Sequence, residues 1–128
     1  MRFKKYLMII SFIAVTFSCS QAQEKVEVID ADQLVELRDS GVELIDVRSL
    51  SELQGGKIPG ATHIPISGNF IEGMKDFDKT KPVIVYCHSG VRSTKAARQL
   101  SSAGFEKVYN YTGSYADWIQ SGREVEKN

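Results

Sequence analysis

The sequence predicts an α/β domain in which a mostly parallel sheet is covered by helices on both faces. Short apolar runs, many of them β-branched, recur at residues 26–29, 42–47, 62–66, 83–86 and 105–110. Segments with helical apolar spacing separate them, and the crossovers are a dozen residues or longer, as parallel strands require. A chain of 128 residues, 42% hydrophobic and 25% charged, is the size and composition of one domain with a short appendage.

The appendage is the N-terminus. Met1-Arg2-Phe3-Lys4-Lys5 is basic, and residues 7–17 are almost unbroken apolar. That run is too short to span a bilayer but suits the apolar region of a secretory signal. Ser20-Gln21-Ala22 is a small-x-small cleavage site, which makes residues 1–22 the leader. The alternative is a lipoprotein signal over residues 1–18, with Ser18 before a lipidated Cys19. Either route predicts export, to the periplasm or to a lipid anchor in the bacterial cell envelope. Residues 23–27 then form a tether and 28–126 the domain. Arg2, Lys4 and Lys5 are balanced by no acid before Glu24, so the chain from residue 23 carries three more acidic than basic groups. No basic stripe remains, which argues against nucleic acid as a partner and leaves the Cys19 lipid as the one route to a membrane.

Along the domain, 26–29 alternates as a first strand. Asp30 or Asp32 caps a helix whose apolar positions include Leu34, Val35 and Leu37, and Ser40-Gly41 ends it. The strand 42–47 follows, then a short helix over 49–53 broken by Gly55-Gly56. A turn over 58–61 leads to a strand at 62–66, bounded by Pro65. Phe70, Ile71, Met74 and Phe77 predict a helix over 70–77. The central strand 83–86 is followed by a loop and a helix capped by Ser93 and closed by Gly104. A last strand at 105–110 and a short helix holding Trp118 and Ile119 complete the chain.

Chemistry concentrates between the central strand and its helix, in Cys87-His88-Ser89-Gly90-Val91-Arg92-Ser93. Amide hydrogens of a short loop entering a helix converge on a point and, with the helix dipole, favour negative charge there. A cysteine at that point has its thiolate stabilised, and the thiolate is the nucleophile. Cys87 is therefore the candidate catalytic residue, against the plainer reading of a small buried residue ending a strand. It is also the one thiol left after either cleavage, and an unpaired cysteine in an oxidising compartment is a liability unless used. Ligands of open α/β sheets bind outside the carboxyl ends of the strands, where Asp46-Val47-Arg48 can share a cleft with Cys87.

Asp46-Val47-Arg48, Gly56-x-Ile58-Pro59-Gly60-Ala61-x-His63-Ile64-Pro65 and Val83-x-Val85-Tyr86-Cys87-x-x-Gly90-x-Arg92-Ser93 together resemble the single-domain rhodanese, or sulfurtransferase, family. The resemblance implies a rhodanese-like sheet of about five strands. It implies that Cys87 takes a sulfane sulfur from a small sulfur-containing anion such as thiosulfate and passes it to cyanide or a thiol, with a thiol redox protein as a further partner. No metal or cofactor is implied. His88, Ser89, Gly90, Val91 and Arg92 would form the loop whose amides hold the anionic persulfide end. Arg92 would clamp the donor or tie the loop down. Asp46, Arg48 and Ser93 would support the cleft, and Glu52, four residues after Arg48, would pair with it, against the alternative of a surface ion pair. Many relatives carry two glycines and a Trp near the C-terminus, where this chain has Gly113-Ser114 and Trp118. His88 is expected in solvent and His63 to hold a turn. The relay requires that the Cys87 side chain reach solvent and that the loop amides face inward.

Two other readings share these residues. A non-turnover persulfide carrier or redox-partner module would have the same loop. A Cys-dependent phosphatase or arsenate reductase would have five residues between Cys and Arg, whereas four separate Cys87 from Arg92.

Overall fold

The computed structural model describes residues 25–128. The expected leader, both cleavage points and Cys19 lie outside the described residues. The sheet has five strands in the order β1-β5-β4-β2-β3, and every pairing is parallel. In chain order the elements are β1 (Val26–Ile29), α1 (Ala31–Asp39), β2 (Glu43–Asp46), a 3₁₀ helix (Leu50–Gly55), β3 (Thr62–His63), α2 (Phe70–Gly73), β4 (Val83–Tyr86), α3 (Val91–Ser102), β5 (Val108–Tyr111) and α4 (Ser114–Gln120).

Side-chain alternation along the strands divides the core in two. Val83, Val85 and Cys87 face one way, with Ile45 and Val108, and pack against Phe70, Met74, Ala96, Ala97 and Leu100 from α2, α3 and the turn between. Ile84, Tyr86, Leu44 and Tyr111 face the other way, against Leu34, Tyr115 and Trp118 from α1 and α4. All four residues of β4 are buried, as expected of a central strand covered on both faces. Asp30 caps α1 as the sequence predicts, accepting from Gln33 N while the Gln33 side chain accepts from Asp30 N.

Several boundaries differ from expectation. The α2 helix ends at Gly73 rather than at residue 77. A Cβ on Gly73 would lie 2.8 Å from Ile64 Cγ2, so the close approach that requires glycine also puts a poor helix former in the turn. The β3 strand is two residues long because Pro65 cannot extend the ladder. The last strand starts at Val108, and Phe105 before it is a buried core residue rather than a strand residue. The α3 helix begins at Val91, with Gly90 and not Ser93 as its N-cap.

Candidate active site

The loop leaves the carboxyl end of β4 and turns into α3 at Gly90, whose φ of 97° is left-handed. A Cβ there would stand 2.4 Å from the Thr112 carbonyl oxygen, so glycine is required twice over, by conformation and by space. The Gly90 carbonyl accepts from the Thr94 hydroxyl at 2.7 Å and the Ser93 hydroxyl at 3.1 Å, and from Thr94 N at 3.1 Å. With the backbone so held, Gly90 N–H donates to Cys87 Sγ at 3.0 Å. On the other side, Tyr115 N donates to the Cys87 carbonyl at 2.9 Å and Ala116 N to the His88 carbonyl at 3.0 Å. The Ser114 hydroxyl accepts from Cys87 N at 3.1 Å and lies 3.7 Å from Sγ. Of these amides it is that of Gly90 that faces the sulfur.

Burial pushes the Cys87 thiol up, but the Ser93 amide and hydroxyl, the Gly90 amide and the Ser114 hydroxyl outweigh it and hold the thiol below its ordinary value. The second requirement, an open side chain, is not met. Cys87 has a relative exposure of 0% and belongs to the core cluster under α3. In this conformation the loop covers the sulfur that it polarises.

Beneath the loop, Asp46 and Arg48 form a buried hub, not a surface ion pair; they are 0% and 1% exposed. The Asp46 carboxylate accepts from Arg48 Nη2 at 2.8 Å and Nε at 3.1 Å, from Arg48 N at 2.9 Å, and from the Tyr86 hydroxyl at 2.5 Å. Burial, the Asp46 charge and that hydrogen bond all push the Tyr86 hydroxyl far above its usual range, so it stays a donor. Arg48 also donates to the Gly56 carbonyl at 2.8 Å and lies 4.0 Å over the Tyr115 ring. His63 holds this turn, its Nε2 2.6 Å from the Arg48 carbonyl oxygen.

Glu52 does not pair with Arg48 as expected. Only its backbone oxygen meets Arg48, at 3.3 Å, because Asp46 draws the guanidinium inward. The Glu52 carboxylate instead takes Arg92 with two bonds of 2.7 Å and caps Ser49 through its N–H and hydroxyl. Chiefly through the Arg92 bond, these contacts hold the Glu52 carboxyl far below the usual carboxylate range. Of the two roles expected for Arg92, this geometry is the tie.

The rhodanese-like domain model matches residues 30–121. The chain belongs to the rhodanese-like family. It is 33% identical over 90 residues to a thiosulfate sulfurtransferase, GlpE, of Coxiella burnetii, covering 70% of this chain and 81% of that one. It is 35% identical over 80 residues to YrkF of Bacillus subtilis, where the match covers 62% of this chain and 43% of the relative, so that protein is more than twice as long as the shared part. Among solved structures, a rhodanese-related protein of Thermoplasma volcanium superposes with a TM-score of 0.69 at 31% identity, over 80% of this chain and 99% of that one.

The rhodanese-like loop brings Cys87, Gly90, Ser93 and Arg92 together, while His88, Ser89 and Val91 turn their side chains outward and are exposed. Sequence reasoning passed over Ser114, Tyr86, Tyr115 and Thr94, all of which fix the loop or the hub. Ser114 had a signal: the family resemblance leads one to expect a second glycine after Gly113, and Ser114 is the one non-glycine residue among those described with a positive φ, 58°. Among the described residues no cluster of His, Cys, Asp and Glu could hold a metal ion, and no helix is long and apolar enough to cross a membrane.

Proposed function

We propose that the protein is a sulfurtransferase carrying a sulfane sulfur on Cys87. The observation that carries this reading is the Gly90 N–H aimed at Cys87 Sγ from 3.0 Å, in a loop whose closed form is held by the Ser93 and Thr94 hydroxyls on the Gly90 carbonyl. Such a donor stabilises the thiolate, and after it the anionic end of a persulfide, without reorganisation. In the first step the Cys87 thiolate attacks the outer sulfur of thiosulfate. The S–S bond of the donor breaks, sulfite leaves with the electron pair, and a persulfide remains on Cys87. In the second step cyanide or a thiolate attacks the terminal sulfur. The persulfide bond breaks, the Cys87 thiolate is restored, and thiocyanate or an alkyl persulfide departs. Atoms and charge balance without a further oxidant or reductant. The GlpE relative of Coxiella burnetii is named for thiosulfate, which supports that donor class.

The burial of Cys87 means that the loop opens for each half-reaction, and it favours a second reading in which the protein holds persulfide with little turnover. Mass spectrometry after thiosulfate treatment, looking for one added sulfur atom on Cys87, tests carriage; cyanide-dependent thiocyanate formation tests release. Carriage with release supports the enzyme, carriage alone supports the carrier, and neither removes both. Cys87→Ser should abolish both signals and keep the fold, since the exchange changes little volume. A phosphatase reading falls if an aryl phosphate is not hydrolysed, and the four-residue spacing between Cys87 and Arg92 argues against it. The basic start and apolar run of residues 1–22 support export, with cell fractionation and the mass of the mature N-terminus as the test. In the envelope a thiol redox protein is a further acceptor: one thiolate takes the outer sulfur of the Cys87 persulfide, and the second thiol releases it as sulfide while the pair closes to a disulfide.

A further inference from the structure

The outer side of the same loop borders an open depression of about 590 Å³, lined by Ser89, Gly90 and Val91 of the loop and by Thr94, Lys95, Arg98 and Thr112. None of these residues is acidic. The other depressions described on this surface each contain carboxylates: Glu43, Asp76 and Asp78 in one, Glu27 and Glu36 in the next, Glu27 and Glu106 in another. The difference stands out on a chain whose domain carries more acidic than basic groups. The cations are also uncommitted. Arg38, Arg48, Arg92 and Arg123 each pair with a carboxylate, whereas neither Arg98 nor Lys95 has an ion pair among the described residues. Three positions apart on α3, they share one face. Ser89, Thr94, Thr112 and the 77% exposed Val91 complete the lining.

We infer that this depression binds the carboxylates of a small thiol, the acceptor of the sulfur. The inference rests on the sulfurtransferase reading for the identity of the ligand as acceptor. Its volume is that of a site for a molecule of peptide size rather than of a bare inorganic anion. Two neighbouring cations suit two carboxylates. The depression reaches Gly90, whose N–H touches the sulfur, but not Cys87 itself, so a ligand anchored on Lys95 and Arg98 lies beside the loop and meets the sulfur when the loop opens. The acceptor thiolate then attacks the terminal sulfur of the Cys87 persulfide, and the Cys87 thiolate leaves as above.

The test uses two readouts. Cys87→Ser protein is titrated with S-methylglutathione, an unreactive probe with two carboxylates, and followed by amide NMR. Shifts should centre on residues 94–98, and Arg98→Glu, or the milder Arg98→Gln, should weaken binding by about tenfold for the loss of one charge-assisted contact. In turnover, the same changes on the Cys87 protein should raise KM for glutathione by about tenfold while kcat/KM for 2-mercaptoethanol, which has no carboxylate, moves less than about twofold. Equal changes for both thiols, or none for either, overturn the inference. So does a rise in KM for thiosulfate that matches the rise for glutathione, which would assign the cations to the donor. If wild type passes sulfur neither to cyanide nor to any thiol, the sulfurtransferase reading fails, and with it the acceptor role, while the titration still reports whether the groove takes carboxylates. If it passes sulfur to cyanide but to no thiol, the acceptor role alone is overturned. If sulfur passes normally and the probe does not bind, the groove alone is refuted.

Discussion

Replacing Glu52 by Gln removes a carboxylate that joins the 3₁₀ helix to the residue that ends the active loop. Its oxygens hold Arg92 by two bonds of 2.7 Å and Ser49 by two more of 2.8 and 2.7 Å. The Arg92 and Glu52 side chains are 38% and 30% exposed, so water screens the pair. An exposed ion pair contributes roughly 0.2–1 kcal/mol, and a hydrogen bond to a charged group about 1.5–3 kcal/mol. A half-exposed, two-pronged pair falls between them, at about 1–2 kcal/mol. Cys87 is buried in this conformation; if it is reached by a loop movement that breaks the Arg92–Glu52 pair, the same energy biases the closed form. The open population, and with it the rate of Cys87 alkylation by iodoacetamide at neutral pH, should rise by a factor of about 5–30 in Glu52→Gln. The melting temperature should fall by roughly 4–8 °C for each kcal/mol lost. The sign with pH follows from the lowered Glu52 carboxyl: its stabilisation is complete above the unfolded value, about 4.3, and is lost as pH falls through the folded one. Wild type and variant should therefore converge in acid. A melting temperature that falls while the alkylation rate stays within about twofold would refute the idea that this pair controls access.

Gly90→Ala should be among the most damaging small changes, because the left-handed backbone and the 2.4 Å approach to Thr112 both reject a Cβ. A loss of about 2–3 kcal/mol or more in chemical denaturation is expected. Asp46→Ala leaves the Arg48 guanidinium, 1% exposed, without its counter-charge, and should cost about 3–5 kcal/mol by the same measurement. The pH dependence of Cys87 alkylation should inflect below the ordinary thiol value of about 8.5, since the amides hold the thiol down. Because its folded value is lowered, Cys87 adds stability as pH rises from the folded value to the unfolded one. Ser114→Ala, which removes one of the groups holding the thiol down, should move that inflection upward.

The sheet was legible because its signals are local. Ile84 and Tyr86 are apolar on one face of β4 and Val83 and Val85 on the other, which only a doubly covered strand tolerates. Asp30 and Gln33 form a capping box that marks the start of α1. The motif around Cys87 marked the site, but the details depended on contacts remote in sequence. Ser93 looked like an N-cap because its type is right; Gly90 took that place because Thr112, from beyond β5, leaves no room for a Cβ. The i,i+4 rule paired Glu52 with Arg48, yet residues 50–55 are 3₁₀, where i and i+3 eclipse instead, and Arg48 is held by Asp46 inside the core. A serine in the left-handed region, as Ser114 is, announces itself only through what it replaces. Exposure of Cys87 had no local signature, and the expectation of an open sulfhydryl failed there.

Two amides at the start of α4, those of Tyr115 and Ala116, grip the carbonyls of Cys87 and His88, and Ser114 receives the Cys87 amide. The reactive hexapeptide is thus one half of a two-part mould whose other half is supplied nearly thirty positions downstream. Transplanting Cys87 to Arg92 onto another scaffold would move the chemistry's letters without its shape. Trimming the tail after β5 would dismantle the site while leaving every residue of the motif in the chain.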